Sequence, residues 1–179
     1  YESLGARRCV PIYNALDPET HFRVKAEPRF DADLSFLGNR MPDRETRVNE
    51  FFLSAARMMP SHRFLLGGNG WEQDRLPPNV RAVGHVYTAD HNAFNCSPTA
   101  VLNINRGSMA RYGFSPPTRI FEAAGAGACL ITDAWEGIEM FLNPGTEVLI
   151  ASDGADVAEY VRWLDRTTAG QVGAAARQR

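Results

Sequence analysis

From residue 31 onward, short apolar runs alternate with segments of helical period, and this alternation restricts the fold more than any other feature. DADLSFLGNR (31–40) carries a brief apolar run ending at Gly38, the pattern of a buried strand. MPD (41–43) is a stop that Asp43 can cap. From Arg44 to Met59, the residues Val48, Phe51, Phe52, Ala55 and Met59 recur at helical spacing, while Arg44, Glu45, Arg47 and Glu50 take the other face. The unit then repeats. RFLLGG (63–68), NVRAVGHV (79–86), AVLNIN (100–105), ACLITD (128–133) and EVLIAS (147–152) read as strands. TADHNAFNCS (88–97) is a short helix capped by Thr88, and PTRIFEAAGAGA (117–128) a helix with Pro117 in its first turn. GIEMFL (137–142) is a short helix and DVAEYVRWLDRT (156–167) an amphipathic one, which QVGAAARQR (171–179) can extend. RGSMARYGFSP (106–116) reads as a polar loop. Upstream, CVPIYN (9–14) is expected to be a short strand before a turn at LDPET (16–20). Strands alternating with helices give βαβ units: an α/β, three-layer α/β/α Rossmann-like domain with a parallel sheet.

Composition narrows the partners. A chain of 179 residues suits one domain, and a net charge of -2 excludes broad affinity for nucleic acid or anionic membrane. The longest apolar runs fall far short of the ~20 residues that span a bilayer, and no secretory signal is visible. Cys9, Cys96 and Cys129 form no CxxC pair, which argues against a disulfide framework and points to reduced thiols and a cytoplasmic address. The first residue is Tyr1 and not Met, so the natural start is expected upstream.

Ligands of such sheets bind beyond the carboxyl ends of the strands. The corresponding loops are 38–43, 67–75, 84–88, 105–117 and 133–138. They hold Asn39, Arg40, Asn69, Trp71, His85, Tyr87, Asn105, Arg106, Ser108, Arg111, Tyr112, Ser115, Asp133, Trp135 and Glu136. Donors and three arginines suit an anion with polar attachments. RYGFSPPTRIFEAAGAGACLITD (111–133) is the most informative stretch. Its Pro-Pro starts a helix whose first N–H groups and positive dipole end can hold phosphate. Glu122, farther in, can accept two ribose hydroxyl hydrogen bonds, each worth about 1.5–3 kcal/mol to a charged acceptor. Composition leaves a second reading equally open, in which Glu122 is a solvated helix residue and the glycines serve packing. GGNG (67–70) is no GxGxxG fingerprint and no P-loop motif exists. His85 and His91 lack a third ligand at zinc spacing.

These segments resemble a known family. CVPIYNALDPETHF (9–22) is similar to the V-x-P-N-G-x-D-x-x-x-F connector that ends the first domain of GT-B glycosyltransferases, and LSFLGNR (34–40) to the opening strand and loop of their second domain. NVRAVGHVYTADHNAFNCS (79–97) and TRIFEAAGAGACLITDAWEGIEMFLNPGTEVLI (118–150) resemble later stretches of that domain, the second being its donor-site stretch. FLGNR, PPTRIFEAAGAGACLITD and the following acidic helix are most similar to the spore-maturation CgeB-like branch of the group 1 enzymes.

The resemblance implies the C-terminal, donor-binding half of a GT-B fold. Residues 1–30 would end the first domain and its connector, and 31–179 would bind the nucleotide sugar, with the acceptor domain absent. By the same resemblance, Glu122 holds the donor ribose and Arg40 meets the diphosphate, with Arg44 as runner-up; His85 to Tyr87 cradle the base. Phe114, Ser115 and Thr118 lie at the helix start beneath the phosphates, and Arg106 completes the donor-binding set. Many relatives carry a glutamate eight residues before the ribose one, where this chain has Phe114. The implied activity is metal-independent glycosyl transfer from a nucleoside diphosphate sugar, UDP-type first, to an unknown acceptor, with no cofactor. The partners implied are the nucleotide sugar, that acceptor and the chain's own N-terminal domain, with the catalytic residues unassigned. Alternatives are a non-catalytic nucleotide-sugar-binding or interaction module, or a GT-B-type sugar-nucleotide epimerase, for which Asp133, Glu136 and Glu139 are the available acids.

Overall fold

The computed structural model describes residues 1–71 and 75–179 and contains one six-stranded, all-parallel sheet. Its strands are β1 (Leu34–Leu37), β2 (Phe64–Gly67), β3 (Val80–Gly84), β4 (Ala100–Asn103), β5 (Leu130–Asp133) and β6 (Leu149–Ala151), in the order β3-β2-β1-β4-β5-β6. The helices are α1 (Pro42–Val48), α2 (Ser54–Met58), α3 (His91–Cys96), α4 (Gly107–Tyr112), α5 (Thr118–Gly125), α6 (Gly154–Trp163) and α7 (Arg166–Gln178). Strand order reverses between β1 and β4, where Leu34 pairs with Phe64 on one side and Ala100 on the other. A sheet of this kind opens a crevice above its carboxyl ends at that reversal.

Period-two alternation divides the strand side chains between two cores. Leu34, Phe36, Leu66, Leu102 and Ile131 face Phe52 and Ala55 of the α1–α2 arm and Val157 and Val161 of α6. On the other face, Val101 and Leu130 pack on Ile120 and Ala123 of α5, and Leu65 packs on Ala93 and Phe94 of α3. Each fully buried Leu or Phe contributes about 1.5–3 kcal/mol. The helix expected from Arg44 to Met59 is realised as α1, a π turn over Asn49–Leu53 and α2.

Helix α7 joins the two cores beneath the sheet. Its Ala169 and Val172 enter the first and its Ala176 the second. It lies so close to the loop before β5 that a Cβ at Gly173 would run into the Gly127 carbonyl. Among the described residues no helix is long and apolar enough to cross a membrane.

Several local expectations are corrected. CVPIYN forms no strand: Val10 and Ile12 are exposed, and Pro11 has no N–H for a ladder. Residues 106–116 are not all loop, since α4 forms over Gly107–Tyr112; Met, Ala and Arg favour helix locally, and the glycines at its start and just past its end mask them. Asp43 is not the cap of α1, whose N-cap is Met41 and makes no side-chain cap; Asp43 is instead in the first turn, paired with Arg106. Thr88 makes no side-chain cap either. Pro117 is the N-cap of α5 and so precedes its first turn. The last helix divides at Leu164, because Asp153 caps α6 and Asp165 caps α7.

Candidate functional site

The crevice at the β1/β4 reversal is built around a glycine and an arginine. Gly38 follows β1, and a Cβ there would lie 2.7 Å from Nη1 of Arg44. With no side chain at Gly38, Arg44 reaches back from α1 over the strand end. Arg44 is half-buried, its Nε has no hydrogen-bond partner, and no carboxylate of the described residues stands within ion-pair distance of it. Burial, followed by the neighbouring Arg106 charge, holds its pKa below the usual arginine range.

The opposite wall is α5. Its N-cap Pro117 is extended and supplies no side-chain acceptor; its carbonyl accepts the Ile120 N–H at 3.2 Å, which leaves the N–H groups of Thr118 and Arg119 and the positive dipole end to an anion. Glu122 stands one turn inside. It is not on the outer surface: its side chain is 15% exposed, wedged between α5 and His91 of α3. Arg119 Nη1 approaches Glu122 Oε2 at 3.0 Å without the angle of a hydrogen bond, leaving Oε2 with no hydrogen-bond partner. Arg119 also donates from Nη1 to Asn95 Oδ1 at 3.4 Å, while its Nε is unpartnered. Burial lowers the Arg119 pKa; Glu122 opposes this and the Arg44 charge reinforces it. His91 Nδ1 is 3.8 Å from Glu122 Oε2, and its Nε2 is 3.3 Å from the Val86 carbonyl. Desolvation and then Arg119 push the His91 pKa down, which favours the neutral ring.

The remaining expected site residues distribute around the rim. Arg40 lies on the β2 side, paired with Glu45 at 2.6 Å and 5.9 Å from the Trp71 ring. Arg106 pairs with Asp43 at 2.9 Å beside Arg44. His85 and Tyr87, both exposed, meet edge to face at 4.5 Å beyond β3. Phe114 has φ 47, a left-handed conformation that costs a non-glycine residue of order 1–3 kcal/mol, and its N–H donates to the Glu136 carbonyl at 2.6 Å. Ser115 is partly exposed and Thr118 exposed at the start of α5. Structural roles claim others. Trp71 is buried and donates from Nε1 to the Gly38 carbonyl at 2.8 Å, and Asn105, Trp135 and Asp133 are also buried. Positions 72–74 of the 67–75 loop lie outside the described residues.

Arg119 was absent from the sequence-derived set although it faces Glu122 directly. The available signal was its i,i+3 spacing from Glu122, which makes the two neighbours on one helical surface. His91 was weighed only as a metal ligand, and its approach to Glu122 joins positions 31 residues apart, beyond local pattern.

A parallel sheet of this order, with cations and a helix terminus at its reversal point, is the GT-B type of glycosyltransferase fold. The chain belongs to the glycosyl transferase-like family, whose model matches residues 44–179. Among solved structures it is similar to the Anabaena HepE protein in complex with UDP-glucose, with a TM-score of 0.70 and 12% identity over 93% of this chain and 51% of that one. It is also similar to AviGT4, a glycosyltransferase involved in avilamycin A biosynthesis (TM-score 0.64, 19% identity, 97% and 54% covered). A third is sucrose-phosphate synthase from Thermosynechococcus elongatus (0.70, 15%, 96% and 47%). The chain thus spans about half the length of each. No curated protein sequence matches it.

Proposed function

We propose that residues 31–179 are the donor-binding domain of a GT-B glycosyltransferase of the CgeB-like branch, with residues 1–30 ending the connector from an acceptor-binding domain. The donor is a nucleoside diphosphate sugar. The observation that carries this reading is the pairing of opposites across one crevice: among the described residues, Arg44 is a half-buried cation with no carboxylate at ion-pair distance, and Glu122 is a sheltered carboxylate whose Oε2, ion-paired to Arg119, has no hydrogen-bond partner. The diphosphate lies against Arg44 and the amino end of α5, and Glu122 accepts the ribose hydroxyls. Arg119 holds that carboxylate in place. Arg44 stabilises the charge that develops on the diphosphate as the glycosyl bond breaks. Arg40, held by Glu45 on the β2 side, takes second place for the diphosphate. His85 and Tyr87 flank the base, and Arg106, Phe114, Ser115 and Thr118 line the phosphate side. The HepE protein solved with UDP-glucose supports UDP as the nucleotide.

Calorimetric titration with UDP, GDP and ADP tests the proposal. UDP is expected to bind, and Arg44→Gln and Glu122→Gln each to weaken it at least about tenfold, or about 1.4 kcal/mol. Absence of heat with all three nucleotides, or unchanged affinity in both variants, removes the assignment.

A further inference from the structure

The amino edge of the sheet, opposite the crevice, carries a second concave site. A groove of about 350 Å³ lies where residues 98–99 lead into β4 and 126–129 into β5, closed by segment 23–26 and the start of α7. Arg23 and Lys25 both line the groove and are exposed, with the partly buried Val24 between them. That segment is pinned at both ends: the Val24 N–H donates to Cys96 Sγ at 3.5 Å, and the Glu27 N–H to Ser97 Oγ at 2.8 Å. Among the described residues, neither Arg23 nor Lys25 has a carboxylate within ion-pair distance. A third cation, Arg166, is fixed in place by Asp31 at 2.6 Å and by the Ser97 carbonyl at 3.1 Å. Asp31 is itself shared with Arg63, so it neutralises little of the groove.

One neutral donor completes the set. Asn95 lines the groove at 1% exposure; its Oδ1 accepts from Arg119, while its Nδ2 has no acceptor. A buried donor left unpaired is a standing cost that an incoming acceptor would remove. Gly170 of α7 lines the same groove, and a Cβ there would meet nothing within 4 Å, so the volume beside it is open.

We propose that this groove binds a small phosphate monoester. Two unpaired cations, a fixed third and an unsatisfied amide suit the charge of about -1.5 to -2 and the three acceptor oxygens of such a group. The volume falls at the small end of ligand sites, about 300–1,000 Å³, which leaves room for a short organic moiety beside the phosphate.

Backbone amide NMR of the whole chain tests this, using glycerol 3-phosphate and inorganic phosphate as probes. Glycerol 3-phosphate is expected to shift residues 23–25, 126–128 and 166–170, and to bind more tightly than inorganic phosphate. The double variant Arg23→Ser, Lys25→Ser is expected to weaken it at least about tenfold. Gly170→Glu, which fills the open space with an anion, should abolish it while the rest of the spectrum stays in place. In Arg44→Gln, which removes the crevice cation, the groove response should persist. Shifts confined to the crevice, wild-type affinity in the double variant, or equal affinity for the two probes would each overturn the proposal.

Discussion

The Arg47 guanidinium meets the Asp133 carboxylate at 2.6 Å, joining α1 to the end of β5 across 86 residues of sequence. Asp133 has no exposed side-chain surface, and its Oδ1 also accepts the Asn105 N–H at 3.0 Å. Arg47 in turn donates from Nε to the Asn105 carbonyl at 3.1 Å. One pair therefore fastens the helix that bears Arg44 to the ends of β4 and β5. It also occupies Asp133, one of the acids an epimerase would need at the donor sugar.

Removing Arg47 leaves an uncompensated buried charge. Arg47→Met is expected to destabilise the fold by about 3 kcal/mol near neutral pH, measured by urea unfolding. Burial already holds the Asp133 pKa above the usual carboxylate value, against the Asn105 N–H and Arg47. A raised carboxylate contributes stability below its unfolded pKa and loses it as pH rises through the folded value. The variant's deficit should therefore shrink as pH falls, because Asp133 takes up its proton above the ordinary carboxylate range. A deficit that grows on acidification contradicts this account.

His91 makes the opposite pH prediction. Its folded pKa is depressed, so its contribution is present above the ordinary histidine value of about 6.5 and is lost as pH falls through the folded one. Unfolding free energy measured between about pH 7.5 and 5 should decline in the native chain and decline less in His91→Asn.

The thiols should separate by environment. Cys129 is 3% exposed and its thiol is pushed up to about 12 by burial, whereas Cys9 is exposed. Iodoacetamide at about pH 8 should label Cys9 in the native chain and reach Cys129 only in denaturant, as read by peptide mass spectrometry.

Where α6 crosses the α1–α2 arm, a Cβ on Gly154 would run into the Glu50 carbonyl and lie 2.9 Å from Ser54 Cβ. Gly154→Ala should cost about 2–3 kcal/mol by overpacking, despite the better helix propensity of alanine. Calorimetry should then show a melting temperature lower by roughly 4–12 °C.

Periodicity sufficed where a segment's own residues decide its state. The run from Val48 to Met59 announced its helix, and the strands from Leu34 to Leu149 lie inside the segments read for them. Periodicity failed where state depends on what lies alongside: CVPIYN has strand composition but no neighbouring strand, and α4 lies hidden between two glycines. For the site, the α5 amino end was readable from its Pro-Pro start, whereas the sheltered position of Glu122 was one of two readings that composition left equally open, because it depends on Arg119 and on His91 of a distant helix. The contrast between Arg44 and Arg40 was not readable. It rests on Glu45 taking Arg40 while the bare backbone of Gly38 admits Arg44, a three-dimensional difference between residues four apart.

The backbone-to-backbone contact of Gly173 with Gly127 also limits how this chain can diverge. Position 173 cannot accept a methyl group first and wait for its partner to adjust, since the obstacle on the other side is main chain and cannot be substituted away; at Gly127 the left-handed backbone, and not a clash, disfavours a side chain. A descendant that enlarges residue 173 must shift the whole of α7, and with it the seal under both cores. Sequence drift here should therefore proceed by reseating a helix, not by single replacements.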